Sequence, residues 1–464
     1  MIIPPEQNQN EYKQEKILHY IVWIYAIVIT CFICAWWKNT PGMPPAGRMA
    51  GLLSAVLFSV VIILFMKHWS IEWQPLFEEQ TGPKSEPIRT LVLIRLFFTF
   101  LMVDVFIVLL IFFLQWRLFG QTSFKNGLTL WSSTDSFHYL NIAREWYLSE
   151  GPYDRLVELA FLPGFPLAVR AVASIIHNYL YAGMLVSAVS FAGAETILYC
   201  LARLDMDHRT AMRVLRYTVI LPGSFFFASP QTESLFLLLS VSCIYLARKK
   251  AWFPACLLGG LSAFTKSVGI ILLVPVAFEL IYDSLKKVNQ NPSRSCRSLP
   301  FLMLLMIPSG FFLYCLICKK VSGNPFQWMI YEKDYWHQQM GLFFQTAAYQ
   351  TEKVILDYRS MEYTTLFGIW IPNLIVSFSA LLIMAFTIHK MRLSYGAYFI
   401  SYYVIAFGAT FLLSAPRYAL VLFPIVFGIA DITKKRSVDI LLSALAIIIS
   451  VLYTLMFIAR CQVW

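Results

Sequence analysis

Charge is what this sequence has least of. Only 14% of its 464 residues are Asp, Glu, Lys or Arg, where a soluble chain of this length carries about a quarter. That deficit excludes an ordinary soluble globular protein. Nucleotide signatures are missing as well. Neither G-x-x-x-x-G-K-[ST] nor G-x-G-x-x-G occurs, so an activated substrate, if there is one, is not a nucleotide cradled by those loops. The chain has no usable N-x-[ST] sequon; the one near-match, at Asn291, carries proline in the middle position. That absence favours a bacterial cell membrane over an endoplasmic reticulum. Cysteine offers no framework either: there are nine, an odd number, scattered mostly through apolar runs. Cys31 with Cys34 and Cys315 with Cys318 have C-x-x-C spacing, but neither has the second pair that a four-ligand zinc site needs. They read as small apolar helix residues. No tandem repeat, heptad or low-complexity tract stands out.

What the chain has is apolar residues in long runs: 58% are hydrophobic and the mean hydropathy is +0.64. A hydrocarbon core near 30 Å needs roughly 20 apolar residues per helix, and "ILHYIVWIYAIVITCFICAWW" at 17–37 begins a series of them. The segment before it is polar and lacks a cleavable-signal pattern, so this first run is expected to stay as an anchor. The expected fold class is all-α, a polytopic transmembrane helical protein with about thirteen spans. These fall at about 17–37, 49–66, 90–116, 180–201, 214–228, 234–247, 252–264, 268–283, 299–317, 364–388, 394–413, 417–430 and 438–457. Residues 1–89 supply two extra N-terminal spans and a polar loop; 90–464 form the main membrane domain, with no separable soluble unit. The net charge of +11 matters through its placement. "RKK" at 248–250, "TKKR" at 433–436 and the four arginines of 203–216 fall on one side, which the positive-inside rule makes cytosolic together with the N-terminus. The two long polar segments, about 117–179 and 318–363, then face away from the cytosol. The partners expected are a lipid bilayer and lipid-borne molecules, not nucleic acid.

The polar residues gather in those outer segments. "TDSFHYLNIAREWYL" reads as a short amphipathic helix, with Thr134 as its N-cap and Asp135 in the first turn, where the helix dipole favours a negative charge. Asp135 by itself is a helix cap; walled by aromatics at a membrane boundary it is also a carboxylate able to take a proton from a hydroxyl. His138 lies one turn on, at i,i+3. Asp135 with His138 offers two ligands to a divalent cation, which is few. The stretch 165–180 is too short to cross and is expected to lie in the interface. Glu233, in "SPQTESLF", opens the next helix. Lys266 and Ser267 interrupt an apolar stretch of some thirty residues; a lysine at mid-bilayer costs about 3 kcal/mol, so they are expected at a junction of two short helices. A cation there suits a lipid phosphate, or simply snorkels. Trp328 and Trp336 suit stacking on a sugar face or a membrane belt, and Arg417 is either a phosphate partner or an interfacial anchor. Asp104 and Glu195, deep in apolar runs, are expected to make ion pairs or hydrogen bonds between helices.

Taken in order, these pieces resemble the PIG-V family, the glycosylphosphatidylinositol mannosyltransferase 2 proteins and their bacterial relatives, within the GT-C multi-span glycosyltransferases. The acid followed by "HYLNIA", then "FLPGFPL" with Phe161 and Pro163, "QTESLF" with Glu233, "KSVG" with Lys266 and Ser267, "GNPFQW" with Asn324 and Trp328 followed by Trp336, and the pair Arg417–Tyr418 carry the likeness between about 115 and 420. Two positions depart from the family pattern: Thr134 stands where the family has tryptophan, and Lys266 where it has arginine. The resemblance implies a GT-C-like fold and inverting transfer of a sugar, mannose above all, from a polyprenyl-phosphate donor to a lipid- or polymer-linked hydroxyl outside the cytosol. It makes Asp135 the general base, and Lys266 and Arg417 the partners of the departing phosphate. His138, Phe161, Pro163, Glu233, Ser267, Asn324, Trp328, Trp336 and Tyr418 complete the expected substrate site. The alternatives are a transporter or flippase of lipid-linked sugars and an inactive GT-C-like scaffold.

Overall fold

A computed structural model describes residues 5–72, 88–120, 123–148, 154–290 and 299–463. Most of the expected loop at 67–89, and part of the polar link around 283–297, lie outside them. The described chain is helical, with one isolated antiparallel bridge, between Met340 and Ala409. Eight helices among the described residues are long and apolar enough to cross a membrane: Leu18–Lys38, Pro45–Trp69, Thr90–Phe119, Tyr179–Ala202, Ser267–Lys287, Leu299–Ser322, Tyr363–Lys390 and Arg436–Ile458. The protein is therefore a multi-pass helical membrane protein. Its outer helices are apolar on the face turned away from the protein: Ile440, Leu441, Leu445, Ile448 and Leu452 of the last helix are exposed, as hydrocarbon permits and water does not.

The remaining five expected spans coincide with shorter pieces. Thr232–Arg248 has 17 residues, Trp252–Thr265 and Leu393–Ala406 have 14 each, and His208–Ile220 has 13 before a 3₁₀ turn at Ser224–Phe227. The stretch 417–430 is broken into Ala415–Leu420 and Pro424–Ile432. Helices of 13–17 residues reach about 20–26 Å, less than a hydrocarbon core. The 232–248 helix is interior, with Glu233, Phe236, Val241 and Cys243 almost wholly buried, whereas the 252–265 helix is buried on one face and exposes Phe253, Leu257 and Leu261 on the other. Interrupted backbone is tolerated at membrane depth only where protein surrounds it.

Close helix crossings use small residues. A side-chain carbon added at Gly310 would stand 1.8 Å from the Gly260 carbonyl oxygen, so the 252–265 and 306–322 helices touch backbone to backbone. The Pro45–Glu72 helix packs on Phe343–Ser360, an 18-residue helix within the second polar segment. Trp36 meets Phe344 edge-on at 5.3 Å, with Phe58 against Phe343 at 4.5 Å. The two polar segments are thus mainly helical rather than loop.

Asp104 and Glu195 are buried as expected, but among the described residues neither makes the ion pair that was one of the two expectations. Among those residues neither acid has a cation within ion-pair distance; one oxygen of Asp104 is unpartnered, while Thr218 of the 208–220 helix lies beside the Glu195 carboxyl. Helix packing at that depth is made by apolar contacts such as Phe100 against Phe191.

Candidate active site

The Asp135–Glu145 helix is set by what holds its ends. Thr134 occupies the N-cap position, yet its hydroxyl does not cap; it accepts from Gln231 Nε2 at 3.3 Å. The same amide donates to Ser136 Oγ at 3.0 Å, and Ser136 meets Ser229 Oγ at 3.1 Å. The "SPQTESLF" hinge therefore anchors the turn that presents Asp135. Thr134 has φ 59° and Trp146, at the far end, φ 68°. A β-branched residue at positive φ is an outlier costing about 1–3 kcal/mol, and such strain persists only where the surroundings hold it. At the C-terminal end Arg170 Nε donates to the Ala143 carbonyl at 2.7 Å, placing a cation where the dipole favours one. Tyr139, Leu140 and Ile142 face inward, while Phe137 is exposed.

"FLPGFPL" has a steric role. A carbon added at Gly164 would come within 2.3 Å of Thr265 Oγ1 and 2.7 Å of Thr265 Cα. Only glycine lets the start of the Gly164–Ile176 helix seat against the end of the 252–265 helix, which brings Phe161 and Lys266 to the wall of one cavity. Lys266 itself is extended, with φ −147° and ψ 133°, between that helix and the 3₁₀ turn Ser267–Leu272. The expected junction is there.

Arg417 arrives from elsewhere. Asn373 donates to the Leu412 carbonyl at 2.7 Å and accepts from Ala415 N at 2.8 Å, clamping the turn before Ala415–Leu420. Backbone bonds from Gly341 N to Gly408 O and from Thr410 N to Gln339 O, each 2.9 Å, strap this turn to the segment bearing Trp336. Tyr331 Oη donates to Asp154 Oδ2 at 2.6 Å, tying that segment to the first polar one.

These elements close on a cavity of about 120 Å³. Asp135, Phe161, Lys266, Ser267, Trp336, Arg417 and Tyr418 all line it. Arg417 Nη1 donates to Asp135 Oδ2 at 2.7 Å. Its Nε and Nη2 donate to Glu233 Oε1 at 3.1 and 2.9 Å, and Lys266 Nζ reaches the same oxygen at 2.9 Å. Glu233 is fully buried behind the wall as the shared counter-charge of both cations. Lys266 Nζ also stands 4.9 Å from the Tyr418 ring centre, within cation–π range. Neither cation is bare: each already holds a carboxylate, which the sequence did not foretell.

Besides Glu233, four expected residues stand off the cavity lining. His138 stacks on Phe161 at 4.7 Å and meets Trp336 edge-on at 6.2 Å; burial lowers its pKa, with the Asp135 charge opposing. Pro163 is buried at the start of the 164–176 helix. Asn324 caps its own turn, accepting from Phe326 N at 3.0 Å. Trp328 packs edge-on against Phe311 at 5.4 Å. These positions serve to hold the wall.

One lining acid was missed. Glu332, half-buried on the Gln327–Asp334 helix, faces the cavity and stands outside the Asp135–Arg417–Glu233–Lys266 network. Burial, and after it the Asp135 charge, push its carboxyl up to about 7. The signal was present: an acid one helical turn before Trp336, amid the aromatics of 326–336. On its other face the Arg417 helix lines a second space. Pro416, Ala419 and Leu420 border an apolar groove of about 520 Å³ that continues along Ile375, Leu445 and Leu452.

Fold and site together define a multi-pass helical membrane protein with a charged, aromatic-walled cavity on one face of the Ala415–Leu420 helix and an apolar groove on the other. No protein family, no curated protein and no solved structure matches the chain.

Proposed function

We propose that this protein is a membrane glycosyltransferase of the GT-C kind, similar to the PIG-V proteins, that moves a sugar from a polyprenyl-phosphate donor to a hydroxyl with inversion. Mannose is the sugar the resemblance favours, and a lipid- or polymer-linked hydroxyl the acceptor. The observation that carries the reading is the convergence, in one cavity, of Asp135, Lys266 and Arg417 with the aromatic walls Phe161, Trp336 and Tyr418, residues drawn from segments up to 282 positions apart. The apolar groove on the other face of the Arg417 helix supports it further, since a donor with an anionic head and a long apolar tail needs both a polar and an apolar surface.

In this reading Asp135 takes the acceptor proton, and Arg417 and Lys266 exchange part of their carboxylate contacts for the departing phosphate. Phe161, Trp336 and Tyr418 hold the sugar. The five short interior helices count as spans, giving thirteen. The cavity then opens outside the cytosol, while Arg248, Arg392 and the lysines near Asp283 mark the cytosolic end, in a bacterial cell membrane. Among the described residues no group of three His, Cys, Asp or Glu side chains gathers to hold a metal, so no step is assigned to a divalent cation.

The test is purified protein in proteoliposomes with polyprenyl-phosphate-mannose labelled in the sugar, a bacterial lipid and polymer extract as acceptor, and parallel arms with glucose donor and with chelator. Covalent transfer supports the enzyme. Movement of the donor across the bilayer without transfer supports a flippase, and neither supports a scaffold. Asp135→Asn is expected to abolish transfer while the protein stays folded and inserted; full activity in that variant removes Asp135 from its role.

A further inference from the structure

The charges of the cavity balance without help from a substrate. Lys266 and Arg417 bring two positive charges, and Asp135 and Glu233 two negative ones, joined in a continuous network. An ionised Glu332 would make the cavity net negative, the wrong sign for an anionic donor. With its proton, Glu332 leaves the cavity neutral and supplies an O–H donor that nothing in the network uses.

We propose that Glu332 is a catalytic acid of this site, giving its proton to the phosphate oxygen that leaves the sugar. This assignment rests on the glycosyltransferase reading above. The step balances as follows. The acceptor oxygen forms a bond to the sugar's anomeric carbon and its proton passes to Asp135. The bond from that carbon to the phosphate oxygen breaks, its electron pair staying on the oxygen, and the Glu332 proton moves there. The lipid departs as a phosphate monoester carrying one negative charge instead of two. A monoester's second ionisation lies near about 6, close enough to the acid's own value for transfer to be effective at neutral pH. Asp135 then returns its proton, and Glu332 regains one, through water at the cavity mouth.

Three features of the fold place Glu332 for this work. The helix bearing it also leads to Trp336, so acid and sugar wall move together. The strap from 339–341 to 408–410 fixes that helix relative to Arg417. Tyr331, one residue earlier, is tethered to Asp154. The titratable and charged groups around Glu332 are accounted for on each side. Across the cavity stand Asp135, Lys266, Arg417 and the Tyr418 hydroxyl. From the 154–160 segment packed on the same helix come Asp154, held by Tyr331, and the Arg155–Glu158 pair. Tyr314, on the preceding helix, donates to the Leu159 carbonyl. On its own helix Lys333 and Asp334 are exposed.

The experiment is the pH dependence of sugar transfer by wild type, Glu332→Gln and Glu332→Asp in proteoliposomes with polyprenyl-phosphate-mannose, folding being checked by thermal melting in detergent. Wild-type turnover is expected to fall as pH rises through about 7, where Glu332 loses its proton. Glutamine keeps a neutral hydrogen-bond donor but cannot release a proton. It should therefore leave KM for the donor within about twofold, lower kcat by roughly 10²-fold, and abolish the alkaline limb. Aspartate, shorter but still an acid, should restore part of kcat together with the limb. An alkaline limb that persists unchanged in Glu332→Gln, or a loss carried by KM alone, overturns the assignment and leaves the glycosyltransferase reading standing. If wild type transfers no sugar, the reading itself falls, and the acid with it.

Discussion

Glu233→Gln is the substitution whose outcome the structure bounds most tightly. The side chain is fully buried, and one of its oxygens receives Lys266 at 2.9 Å and Arg417 at 2.9 and 3.1 Å. At an effective dielectric constant near 20, each unit-charge pair at that separation attracts by about 6 kcal/mol. Desolvating each ion costs several kcal/mol in return, so the cluster as a whole contributes little net stability. Removing one partner is different. Glutamine fills the same volume and keeps an acceptor, but it leaves Lys266 and Arg417 side by side, with Asp135 still paired to Arg417 alone. Breaking a buried pair in this way costs about 3–5 kcal/mol, a drop of roughly 10²-fold to several 10³-fold in the folded-to-unfolded ratio. The assay is unfolding in mixed detergent micelles, with Lys266→Met and the double variant completing a cycle. The double variant should recover at least about 1 kcal/mol relative to the sum of the singles, because it removes the charge and its partner together. A Glu233→Gln protein within about 0.5 kcal/mol of wild type, with additive singles, would refute the buried network and with it the placement of both cations.

Two other outcomes follow from the same geometry. Lys266→Ala should weaken use of the donor far more than use of the acceptor, read as a rise in donor KM with acceptor KM little changed; equal losses on both would make the lysine purely structural. Gly164→Ala should destabilise the protein by about 1–3 kcal/mol and lower transfer, because its new carbon would stand 2.7 Å from Thr265 Cα; unaltered melting and activity would show that this crossing is loose.

Much of the site was legible because its chemistry is written locally. A carboxylate in a polar stretch, a lysine interrupting an apolar run and an arginine opening a helix each break a pattern that the bilayer otherwise enforces, and all three reach the cavity. His138, Trp328 and Asn324 share those segments but turn to packing or to their own backbone. Spacing at i,i+3 places a side chain on a face without saying what that face meets. Glu332 was overlooked for the converse reason. An acid in a segment that already holds Lys333 and Asp334 looks like ordinary solvated charge until the fold brings it to the cavity that Asp135 lines.

The sequence by itself determined that this is a helical membrane protein, where most of its apolar runs lie, and that the 252–283 stretch breaks at Lys266. Those properties follow from the cost of placing charge and unpaired backbone in hydrocarbon, which acts residue by residue. Tertiary structure alone decided that Glu233 would be the common partner of Lys266 and Arg417, that among the described residues Asp104 and Glu195 would have no cation beside them, and that a third carboxyl would join the cavity. Such contacts depend on which helix ends meet, over separations of tens to hundreds of residues, and close packing rather than local pattern selects among them.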